Sequence, residues 1–378
     1  MNYVLFNDTS HTSNPGCQGT VACLRALLAA RGMSCLRSYP VGFGEQRFRQ
    51  TVLLGTPVRS PRGLGWSRWM LGLQAAIPIE NKPLGWNRPA LPFDRAAWKT
   101  AASQLERDYD DFFTDVDAVV INGEGTIHHN SPGAATLVAW ARAAARHGLP
   151  VLTVNCTIQA MDSFLLDMLI TASKRVAVRE AWTFNYLHQH GYISVQASDA
   201  LFAWRDLMPD VASTPYVSDS RHCIYSPGVL AADDMMTESI VRKQVQKMVK
   251  AGWAVSYLTI EVEDERFEAS ARHAGASIYP LRRWTPAGLL SILREYDVVV
   301  SGRYHVMIFG WLAGRPVVPM MSNSWKLEGL LEMAGMPPNS VHSPYRPLDG
   351  NCWNGLLPEA AAIDRLRALA LRNTEVCL

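Results

Sequence analysis

Arg303 and His305 stand in the stretch SGRYHVMIFGWLAGRPVVPM, Ser301–Met320, between a run of valines and an apolar segment. A guanidinium is permanently charged and forks onto phosphate or carboxylate, so at the foot of an apolar helix it calls for an anionic partner. An imidazole two residues on changes protonation near neutral pH and suits an acid acting on the same ligand. Alone, that histidine would read as an ordinary residue at a helix N-terminus. Downstream, PVVPMMSNSWK places Ser322, Asn323 and Ser324 at a helix start and Lys326 in its first turn, which is the other half of an anion clamp.

Further polar clusters follow other apolar runs. After NYVLFND comes NDTSHTSNPGCQGT, where Asn14, Gly16 and Gly19 form a turn entering a helix. Such a turn either presents backbone N–H groups to a ligand or simply joins strand to helix. After DAVVI comes NGEGTIHHN, in which Gly123 and Gly125 bracket Glu124 and His128 and His129 follow. The glycines keep the backbone thin beside a ligand. Glu124 is a candidate base, or else a charge facing a helix dipole. A dinucleotide fingerprint would need Gly where His128 stands, and there is no Walker A sequence, so a nicotinamide enzyme or a kinase is not expected. Adjacent histidines on an extended segment face opposite ways, so the pair predicts no metal site: one lines the cleft and the other caps a turn.

These clusters need strands to hold them. In the second half, CIYSP, WAVSYLTI, ASIYPL, DVVVSG and PVVPMM alternate with helical stretches over 238–250, 263–273, 286–296, 306–313 and 325–334. Ile240, Val241, Val245, Met248 and Val249 mark one helical face that ends at Gly252. The first half repeats the rhythm with NYVLFND, MSCLRSYPV, DAVVING, PVLTVN, RVAVRE and SVQASDALF as strands, and helices over 20–30, 134–147 and 164–172. The expectation is an α/β protein of two Rossmann-like lobes with parallel sheets covered on both sides, 1–210 and 220–378, joined near Asp206–His222. Its ligand should lie between the carboxyl ends of both sheets. A Pro-, Gly- and Trp-rich insertion over 60–93 carries Trp66, Trp69 and Trp86, which either stack on a sugar or a membrane surface or pack the insertion onto its own domain.

The 378 residues, 48% hydrophobic and 19% charged, suffice for two cores, and a net charge of +2 predicts no nucleic-acid face. Seven cysteines without CxxC or Cys/His spacing read as buried thiols of a cytosolic protein. MNYVLFNDTS has no basic stretch followed by an apolar region, and no apolar run approaches the roughly 18 residues that span a bilayer.

The element SGRYH…G…PVVPMMSNSWK resembles the carboxyl-terminal signature of the polysaccharide pyruvyl transferases. The Asn14–Gly19 turn, NGEG, RVAVREAWTFNYLHQHG with Arg179, and SDALF with Asp199 fall in that family's order and extend the resemblance over most of the chain. Tyr304 stands where the family commonly has leucine. The resemblance implies a GT-B-like fold and phosphoenolpyruvate as co-substrate, with no further cofactor. It implies that Arg303 and Lys326, with Ser322 and Asn323, hold the donor's anions, that Arg179 reaches the same ligand, and that His305 assists at the enol ether. The first lobe, through Asn14, Gly16, Gly123, Glu124, His128 and Trp66, would hold the acceptor: a sugar, lipid-linked oligosaccharide or polysaccharide, met at the inner face of the cytoplasmic membrane. Asp199 and His128 compete with Glu124 as the base. A sugar-nucleotide glycosyltransferase and a non-catalytic binding lobe are the alternatives.

Overall fold

Alternate side chains of β1 (Asn2–Asp8) enter two different apolar layers: Tyr3 and Leu5 face one, Val4 and Phe6 the other. β3 (Ala118–Glu124) repeats the alternation, with Ala118 and Val120 opposite Val119 and Ile121. A strand apolar on both faces is stable only in the middle of a covered sheet. The computed structural model, which describes residues 1–51, 90–208, 221–232, 236–280, 284–348 and 350–377, has that arrangement.

The first sheet has the order β2-β1-β3-β4-β5-β6, every pair parallel, with β2 (Ser34–Pro40), β4 (Val151–Cys156), β5 (Ser173–Val178) and β6 (Val195–Gln196). Its helices include α1 (Pro15–Ala29), α2 (Arg95–Asp108), α3 (Pro132–Arg146), α4 (Ser163–Ala172) and α5 (Ala181–Gln189). The second sheet has the order β11-β10-β7-β8-β9, also parallel: β7 (Arg221–Ser226), β8 (Trp253–Leu258), β9 (Ser277–Tyr279), β10 (Val298–Ser301) and β11 (Val317–Pro319). Around it lie α6 (Glu238–Lys250), α7 (Val262–Glu265), α8 (Glu268–His273), α9 (Pro286–Leu293), α10 (Tyr304–Leu312) and α11 (Lys326–Met333).

One apolar layer is common to both lobes, since Leu5 and Val120 of the first sheet share it with Ile224 and Val299 of the second through α1, α9 and α10. Within it the packing is close: a Cβ on Gly19 of α1 would stand 2.8 Å from Leu201 and 3.5 Å from Phe309. Polar contacts flank the layer. The Trp325 amide donates to Gln159 Oε1 at 3.0 Å, and Trp182 Nε1 donates to Glu332 Oε2 at 2.6 Å. Gly329 of α11 packs on buried Glu180, whose Oε2 would lie 2.1 Å from an added Cβ. The last helix, α12 (Ala360–Leu371), crosses back to the first lobe, where Ser198 Oγ donates to the Leu366 carbonyl and Asn373 Oδ1 accepts the Asn155 amide.

Several elements differ from their sequence signals. α1 begins at Pro15, five residues before the expected start, because Asn14 caps it by accepting the Gly16 amide at 2.9 Å. Gly16 and Gly19 are therefore helical rather than parts of a turn. The expected helix over 263–273 is two short ones, because Phe267 is buried between them and the Asp264 carboxylate turns back to accept the Ile260 and Glu261 amides. Of SVQASDALF only Val195–Gln196 is strand; Asp199 then caps a 3₁₀ turn, Ala200–Ala203. Val249, assigned to the buried face of α6, is 40% exposed. The helices α2, α5 and α12 were not expected from the sequence, although α2 buries Trp98, Ala102 and Leu105 at helical spacing and α12 buries Ile363, Leu366 and Ala370.

Candidate functional site

In both sheets the strand order reverses where the carboxyl ends open a crevice, between β1 and β3 and between β7 and β10. The two crevices face one another across a cleft of about 300 Å³. The first lobe lines it with Thr9, Thr12, Asn14, Cys17, Glu124 and Arg179; the second with Glu261, Arg303, Tyr304, His305, Asn323 and Lys326.

The first lobe holds its carboxylate under backbone strain. Asn7, Glu124 and Asn155, at or near the ends of β1, β3 and β4, have φ of 62°, 37° and 55°. Asparagine tolerates this region, whereas for glutamate it costs roughly 1–3 kcal/mol and persists only when neighbours fix it. They do so here. Glu124 Oε1 accepts from Thr9 Oγ1 at 2.5 Å and Asn122 Nδ2 at 2.9 Å, and its carbonyl accepts the Thr157 amide at 2.8 Å. Burial, then the Glu124 charge and a hydrogen bond to it, push the Cys17 thiol well above its usual range, so Cys17 keeps its proton.

Arg179 is 1% exposed. Its Nη1 donates to Asp199 Oδ2 at 2.9 Å and its Nε to Thr157 Oγ1 at 3.0 Å, and its guanidinium lies 4.3 Å from the centroid of the Tyr304 ring. A buried cation so held keeps its charge by geometry. The same contact explains the tyrosine at 304: leucine offers no π face to Arg179. Burial alone would raise Asp199, but His305, Arg179 and the Leu201 amide hold its carboxyl well below the usual range.

In the second lobe Arg303 caps α10 without a side-chain bond to that helix. Its Nη2 donates to Asp264 Oδ2 at 2.6 Å, and its buried Nε has no partner among the described residues. Burial pushes the Asp264 carboxyl up against the pull of Arg303 and the two amides. Lys326 donates to Asn323 Oδ1 at 2.9 Å; burial and then the charge of Arg179 bring its ammonium down to about 7. His305 fits against the other lobe: a Cβ on Gly16 would lie 2.1 Å from the His305 Cβ, and Asp199 Oδ2 is 3.5 Å from His305 Nε2.

The remaining sequence candidates fall in various places. Ser322 is fully buried and reaches Asn323 at 3.5 Å, so it is Asn323 that meets the cleft. Asn14 lines the cleft while serving as helix cap. Gly123 makes room for Cys156, whose Cβ would stand 2.2 Å from an added Cβ. His128 is not among the side chains lining the cleft. It lies with its Nδ1 2.8 Å from that of His129, because positive φ at His129 and Asn130 removes the extended geometry that would part the rings. Burial, then His129 and Lys326, push His128 down to about 3. Trp66, Trp69 and Trp86 lie outside the described residues. Sequence reasoning missed Thr9, Cys17, Glu261 and Asp264; only Thr9, directly after a strand, carried a positional signal.

Among the described residues no group of three or more His, Cys, Asp or Glu side chains is gathered, and no helix is long and apolar enough to cross a membrane.

The family model for polysaccharide pyruvyl transferase matches residues 62–324. The chain belongs to that family. The matched span contains Glu124, Arg179, Asp199, Arg303 and His305 and ends two residues before Lys326. No curated protein matches the sequence. Among solved structures, a putative UDP-N-acetylglucosamine 2-epimerase from Listeria monocytogenes is similar at TM-score 0.55 and 10% identity, covering 98% of this chain and 94% of that one. The S. aureus MnaA–UDP co-structure gives 0.56, with the same identity and coverage. The UDP-N-acetylglucosamine 2-epimerase from Rickettsia bellii gives 0.50 at 10% identity, covering 99% and 95%. At such identity the likeness speaks for the fold alone. This pyruvyl transferase family member has the GT-B architecture of two facing parallel-sheet lobes.

Proposed function

We propose that the protein transfers the pyruvyl group of phosphoenolpyruvate to a sugar as a cyclic ketal, with release of phosphate, in the building of a cell-surface glycan. The observation that carries this reading is the convergence of three basic side chains, Arg179, Arg303 and Lys326, on a cleft that also holds an imidazole, His305, and two carboxylates, Glu124 in the first lobe and Glu261 in the second. Phosphoenolpyruvate carries its phosphate ester and its carboxylate on the same carbon, C2, beside a terminal methylene that accepts a proton, and both anionic groups need charge neutralisation.

Arg303 and Lys326 neutralise the donor, and Arg179 completes the clamp from the first lobe. His305 gives a proton to the methylene carbon, which makes C2 electrophilic. A sugar hydroxyl adds to C2 while Glu124 takes its proton; phosphate then leaves, taking that proton from Glu124, and a second hydroxyl closes the ketal, its proton returning to His305. One proton enters at the methylene and two leave the hydroxyls, one with phosphate and one back to the imidazole. No metal is given a role, because the side chains supply the positive charge; activity that collapsed on chelation and returned with one divalent ion would oppose this part.

The acceptor lies on the Glu124 side and is a sugar, free or linked to lipid or polymer. Incubation with phosphoenolpyruvate and a panel of glycans, following free phosphate, tests the reading. Release of a nucleoside diphosphate from a sugar nucleotide would favour a glycosyltransferase instead.

A further inference from the structure

We infer that Asp199, in the first lobe, is a positioning residue for His305 of the second, holding the imidazole proton on Nε2 and leaving Nδ1 to face the cleft. The inference rests on the reading of His305 as the acid of the reaction.

The groups around Nε2 all accept. Thr20 Oγ1 has one proton and donates it to Asp199 Oδ1 at 3.1 Å, so its lone pairs are what face His305 Nε2 at 3.3 Å. Asp199 Oδ2 lies 3.5 Å from the same nitrogen. The other positions of the carboxylate are filled by the Leu201 amide at 2.9 Å and Arg179 Nη1 at 2.9 Å. A ring nitrogen between two acceptors must carry hydrogen. Nδ1 has a weak neighbour, Cys17 Sγ at 3.9 Å, and is the nitrogen free to pass a proton to a ligand.

Thr20, Cys17 and Gly16 belong to α1 and Asp199 follows β6, all in the first lobe, whereas His305 belongs to α10 in the second. The ring is fixed only when the lobes meet. Gly16 allows that meeting, since a Cβ there would come 2.7 Å from Nδ1. A donor that bound to an open cleft would find the acid unset, so lobe closure and acid positioning are one event.

The test uses the full chain labelled with ¹⁵N-histidine and no donor, with His305→Gln to assign the resonance. At alkaline pH the neutral ring is expected as the Nε2–H tautomer, and Thr20→Val and Asp199→Asn are each expected to admit the Nδ1–H form. Turnover should fall by about 10- to 10²-fold in both. Thr20→Val leaves the Arg179–Asp199 pair in place, so its KM for donor should stay within about 2-fold while kcat falls; it also decides the matter should Asp199→Asn fail to fold. An Nδ1–H tautomer in the unaltered protein, or an unchanged signature and kcat in Thr20→Val, would overturn the inference. The tautomer is read without donor, so a lost Nε2–H signature supports the positioning even if phosphoenolpyruvate proves not to be the donor.

Discussion

The Arg179 guanidinium and the Lys326 ammonium, one from each lobe, meet over the bare α-carbon of Gly125: an added Cβ would stand 3.3 Å from Arg179 Nη2 and 3.6 Å from Lys326 Nζ. Burial first, and then the repulsion between these two cations, lowers the proton affinity of Lys326. A bound anion would fill that space and restore the proton. Donor affinity should therefore be highest below pH 7 and weaken about tenfold per pH unit above it, as Lys326 loses its charge. Calorimetric titration with phosphoenolpyruvate across this range checks it; a flat profile would separate Lys326 from donor binding.

Stability should respond in the opposite sense. Between about 7 and the ordinary lysine value of 10.5 the folded state holds Lys326 neutral while the unfolded chain protonates it, so this group makes stability rise with pH in that window. Lys326→Met should accordingly stabilise the fold at pH 7 by ~1–4 kcal/mol while donor binding is lost. Denaturant unfolding at two pH values measures both effects. A destabilised variant would mean that the ammonium is well compensated in the free protein.

Arg303 calls for a different experiment. Its partner Asp264 is fully buried, so Arg303→Ala leaves an unpaired carboxylate and should cost roughly 3–5 kcal/mol of stability as well as donor affinity. Pairing the change with Asp264→Asn should recover most of the stability and none of the affinity, which should remain down by about 10²-fold. Recovery of affinity in the double variant would make Arg303 structural.

How legible this site was in the sequence differs residue by residue. Arg303 and His305 stood out because polar side chains followed a valine run directly, and β10 delivers them to the cleft. Arg179 was legible as a cation, but not as one held by Asp199, because the two meet only where β5 pairs with β6. Glu124 was legible by its glycines; its positive φ depends on Thr9 and Asn122, contacts set by the pairing of β1 with β3. Gly16 was misread as a turn residue because spacing cannot report that a histidine from the other lobe needs its missing side chain. The alternation of apolar strands and helices gave both sheets, while the return of α12 to the first lobe leaves no local signal at all.

Chemistry and binding should separate between Glu124 and His305. Glu124→Gln keeps the shape and the Thr9 contact region but removes the base, and should lower transfer by about 10²- to 10³-fold with phosphoenolpyruvate affinity nearly unchanged. His305→Gln should lower turnover by about 10²-fold, again with little change in donor affinity. Loss of donor binding in Glu124→Gln, with acceptor binding spared, would reverse the assignment of the two sides of the cleft.

One product analysis decides whether this protein makes a pyruvate ketal: the protein is incubated with phosphoenolpyruvate and a glycan acceptor, free phosphate is counted, and the glycan is examined by mass and by NMR. Ketal transfer should give one phosphate per acceptor modified, a glycan heavier by one pyruvyl ketal, and a quaternary ketal carbon joined to two sugar oxygens. Phosphate release without a ketal, or glycosyl transfer from a sugar nucleotide in its place, would contradict it.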